Sequence, residues 1–65
     1  MNYLKQLNET KKSLLEAKHA SLGLDFNFTC KIDMALTNCI NEYTAEEKRL
    51  RNEGANDFDI LEIIR

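Results

Sequence analysis

LGLDFNFTCKI, residues 22–32, supports two readings. Leu24, Phe26, Phe28, Cys30 and Ile32 alternate with Asp25, Asn27, Thr29, Lys31 and Asp33, and period two is the pattern of a half-buried strand. Yet a helical pattern runs into this stretch and another begins inside it. Whether it is a strand or the corner of a helical hairpin decides the fold.

The flanks favour the corner. Upstream, Tyr3, Leu4, Leu7, Leu14, Leu15 and Leu22 share one stripe at 100° per residue, interrupted near its centre by Lys11 and Lys18. Downstream, Phe28, Ile32, Leu36, Cys39, Ile40, Tyr43, Glu47 and Leu50 share another that persists for six turns, with Met34 left outside it. Thr44-Ala45-Glu46-Glu47 has the form of a capping box, but the stripe keeps its phase through it, so one helix is expected there. Six turns outweigh five alternating residues, and a lone strand would have no partner in the chain. A helix starting at Asn27 or Thr29, capped by that side chain, leaves Phe26 and Phe28 to fold back over the hairpin's end.

There is no proline, and Gly23 and Gly54 stand where helices would end, because glycine takes the left-handed conformation without steric cost. The expected fold is all-α. An antiparallel hairpin of helices at about 2–22 and 28–53 is followed by a short helix at about 57–64, capped by Asn or Asp. In this last segment Phe58, Leu61 and Ile64 form one face, which Ile60 and Ile63 widen. So apolar a piece is not stable alone and must dock on the hairpin or on another chain.

At 65 residues the chain is at most one domain, and its core is marginal without reinforcement. Cys30 and Cys39, nine residues apart on one helix, lie on opposite sides and roughly 13 Å apart along the axis. A disulfide needs Cα atoms within about 7 Å. Met1-Asn2-Tyr3-Leu4-Lys5 leads into a charged amphipathic pattern rather than a secretory signal, so reduced thiols in the cytoplasm are expected. His19 is the only histidine, and no Cys-x-x-Cys or helical His pair suggests a metal. Self-association as a homodimeric helical bundle is the remaining reinforcement.

No catalytic constellation is apparent. His19 among lysines reads as a surface residue, and Asp57 and Asp59, or Glu46 and Glu47, diverge on a helix. No enzyme activity, cofactor or small-molecule substrate is therefore expected, nor a membrane span, since no apolar run reaches the ~18–20 residues needed. Residues 50–61 have the outline of a helix-turn-helix, but Asp57, Asp59 and Glu62 would face phosphates. Lys5, Lys12 and His19 repeat every seven residues, and with Lys18 they could form a basic stripe in a dimer. Glu9 and Glu16 dilute it.

A hairpin turning near residue 25 sets Lys5 opposite Glu46 or Glu47, and Lys18 opposite Asp33. Lys11 then faces the Ile40 level without an acid, which suggests a partner from another chain. The expected function is a small regulator or inhibitor that binds another protein through Phe58, Ile60, Leu61, Ile63, Ile64 and Lys11. The alternative is nucleic-acid binding through Lys5, Lys12, Lys18 and His19. Small chains of this kind are common products of phages, plasmids and compact operons. A dimerising hairpin is similar in architecture to certain plasmid regulators. The Ser-Gln-x-x-Asp signature of two-helix sporulation regulators is absent, and no family is assigned.

Overall fold

Asn2 opens the first helix by accepting the Leu4 N–H on its side chain at 3.0 Å, and α1 then runs Tyr3–Ser21. The computed structural model describes residues 2–65, and the regular elements among them are three helices: α1, α2 (Phe26–Asn52) and α3 (Asp57–Ile64).

The corner is a turn and contains no strand. Leu22 has φ −61° and ψ 130°, Gly23 has φ 90°, and the Leu24 N–H donates to the Ser21 carbonyl at 3.0 Å. This is a type II turn, which needs a residue at positive φ in its third position and finds it in Gly23. Asp25 is the N-cap of α2, its carboxylate accepting the Asn27 N–H at 3.0 Å. The helix therefore begins earlier than an Asn27 or Thr29 cap implies. The Thr29 hydroxyl is engaged elsewhere, donating to the Ser21 carbonyl at 3.1 Å and to the Asp25 carbonyl at 3.3 Å, which ties the two helices together at the corner. Phe26 and Phe28 are consequently part of the first turn of α2. They stand exposed instead of folding back over the hairpin's end.

α2 passes through Thr44 unbroken and ends at Gly54, where φ is 107°. The Ala55 N–H donates to the Leu50 carbonyl at 3.0 Å and the Gly54 N–H to the Arg51 carbonyl at 3.1 Å, the paired bonds of a Schellman closure. The capping box forms instead at α3: Asn56 accepts the Asp59 N–H at 2.9 Å, and Asp59 accepts the Asn56 N–H at 3.1 Å. Arg51 then reaches Asp57 at 2.6 Å and bridges the turn.

α1 packs along α2, and α3 folds back onto α1. The particle measures 44 × 19 × 18 Å, close to the roughly 40 Å length of a 27-residue helix. The buried apolar side chains are Leu4, Leu36, Cys39 and Ile60, with Asn8 and Ser21 as buried polar companions. Leu4, fully covered, and Ile60 secure the end where α3 docks.

With so few anchors each one matters. Leu4→Ala is expected to cost about 3 kcal/mol, a large share of the roughly 3–10 kcal/mol typical of a chain this size. Urea unfolding followed by helix circular dichroism measures it. Gly23→Ala and Gly54→Ala meet no steric obstacle at an added Cβ but must hold positive φ, so each should cost about 1 kcal/mol.

Candidate functional site

The centre of the α1 stripe is lysine. Lys11 is half-buried and its ammonium sits 4.7 Å from the centroid of the Tyr43 ring, a cation–π contact. Lys18 reaches Asp33 at 2.6 Å, the pairing expected from the hairpin register. Lys11 finds an aromatic face within its own chain where an acid was lacking. The expected Lys5 pairing does not form: Glu46 binds Arg49, and Glu47 binds Arg51 at 3.1 Å. Arginine a turn along the same helix is closer than lysine across the seam.

Five apolar side chains in the eight residues of α3 must point in several directions. Ile60 is buried, at 5% exposure, and Ile63 and Ile64 are half-buried beside it on the inner side. Phe58 and Leu61, three residues apart, stand outside at 70% and 57% exposure. The face of Phe58, Leu61 and Ile64 read from the sequence is thus divided between an inner anchor and an outer pair. Asp57, Asp59 and Glu62 surround the outer side, Asp57 paired with Arg51 at 2.6 Å and Glu62 with Arg65 at 3.1 Å, which leaves the rim with a small negative excess.

At the opposite end, Leu22, Leu24, Phe26 and Phe28 are all exposed. The sequence reading missed this tip because it placed the two phenylalanines over the hairpin. Lys5, Lys12 and His19 are exposed along one side of α1, while Lys18 is drawn away by Asp33. Cys30 and Cys39 are free thiols, and the buried Cys39 thiol donates to the Leu7 carbonyl at 3.3 Å. Among the described residues there is no group of three or more His, Cys, Asp or Glu that could hold a metal, and no pocket. No helix is long and apolar enough to cross a membrane.

Comparison with protein-family models, with characterised proteins and with solved structures finds no match to the chain. The surfaces themselves must carry the functional argument.

The electrostatics of the seam are local. Desolvation, then Glu42, pushes the Tyr3 phenol above its ordinary value of 10, and Tyr3 donates to Glu42 at 3.4 Å. Desolvation and then Glu47 raise Tyr43, with Arg51 opposing. Hydrogen bonds from Arg49 hold the Glu46 carboxyl below its ordinary 4.5 against desolvation. The two tyrosines are the chain's only ones and it has no tryptophan, so phenolate absorbance is a clean reporter. Both should titrate above pH 10 in the folded protein, and their contribution to stability, present below pH 10, is lost as pH rises through the folded values. At the other extreme, the Glu46 contribution is present above pH 4.5 and disappears as pH falls through its lowered value. The urea midpoint of Glu46→Gln should therefore lose the part of the acid dependence that Glu46 supplies.

Proposed function

We propose that this chain is a small non-enzymatic interaction module, a regulator or inhibitor, that binds another protein through the outer face of α3. The observation that carries this reading is the division of that helix. Its inner side is anchored through Ile60, and Arg51–Asp57 and the Asn56–Asp59 box set its start, so Phe58 and Leu61 are held out on a pre-organised helix. Two large apolar side chains three residues apart are the anchors of a helix-in-groove contact. The acids around them favour a partner with an apolar groove rimmed by basic groups.

Enzyme chemistry has little support here. His19 stands exposed in the last turn of α1, and the Cys39 thiol faces a backbone carbonyl. Nucleic-acid binding through Lys5, Lys12, Lys18 and His19 is the weaker reading, because Asp33 engages one of the four groups and a thin remaining stripe would have to hold phosphates alone.

Affinity capture from a nuclease-treated native lysate tests this reading. A protein retained by the wild type and lost with Phe58→Lys or Leu61→Lys, while helix content is unchanged, is the expected result. Ile60→Lys should instead unfold the chain, since it buries an ammonium in the core. Material that disappears on nuclease treatment, or that survives both outer-face substitutions, would sink the α3 reading.

A further inference from the structure

We draw no further inference here: the strongest candidate, the exposed apolar side chains Leu22, Leu24, Phe26 and Phe28 at the hairpin tip, carries none, because nothing in the structure shows what covers them.

Discussion

Two lysines at the centre of a helix–helix seam constrain the rest of this molecule. An ammonium cannot enter a core without a partner, so the hairpin must give Lys11 the face of Tyr43 and Lys18 the carboxylate of Asp33 while leaving both near solvent. An exposed ion pair and a cation–π contact contribute on the order of 1 kcal/mol each at most. They make the seam tolerable more than they make it strong. The middle of α1 therefore buries nothing fully between Asn8 and Ser21, and apolar burial is pushed towards Leu36 and Cys39 on α2 and towards Leu4 and Ile60 where α3 docks. α3 acts as a structural plug first: it folds onto α1 and buries Ile60 there.

The helices themselves were legible because their determinants are local. Gly23 and Gly54 both carry positive φ, each flanks a helix end, and the 100° stripes place α1, α2 and α3 to within two residues. The Lys18–Asp33 pair also followed from register alone, once the turn was placed. What could not be read was competition among equivalent candidates. Asp25, Asn27 and Thr29 are all good caps; Asp25 takes the role, and Thr29 instead donates to the Ser21 carbonyl across the corner, a tertiary contact invisible to a linear pattern. That shift of two to four residues in the cap puts Phe26 and Phe28 in the first turn of α2, exposed, instead of over the hairpin's end.

The same ambiguity governed α3. Five apolar residues in eight occupy most of a helical wheel, so periodicity cannot say which of them face inward. The answer is set by how the Schellman closure at Gly54 and the Arg51–Asp57 pair aim the helix, and it divides Ile60 from Phe58 and Leu61. Asn8 and Ser21 were missed for the opposite reason: short polar side chains carry no hydrophobic signal, yet both are buried, and Ser21 satisfies itself by donating to the Lys18 carbonyl at 2.8 Å.

The two exposed apolar ends differ in how they are held. Leu22 and Leu24 lie in a turn, and Phe26 and Phe28, two residues apart, leave the first turn of α2 on different sides. Phe58 and Leu61, three apart, share the outer face of a helix whose other side is anchored by Ile60. Only the second arrangement presents two large side chains in one direction on a backbone already fixed by the Asn56–Asp59 box and the Arg51–Asp57 pair. Two anchors give a modest contact area, so any affinity of that face would depend on the ordering cost the fold has already met.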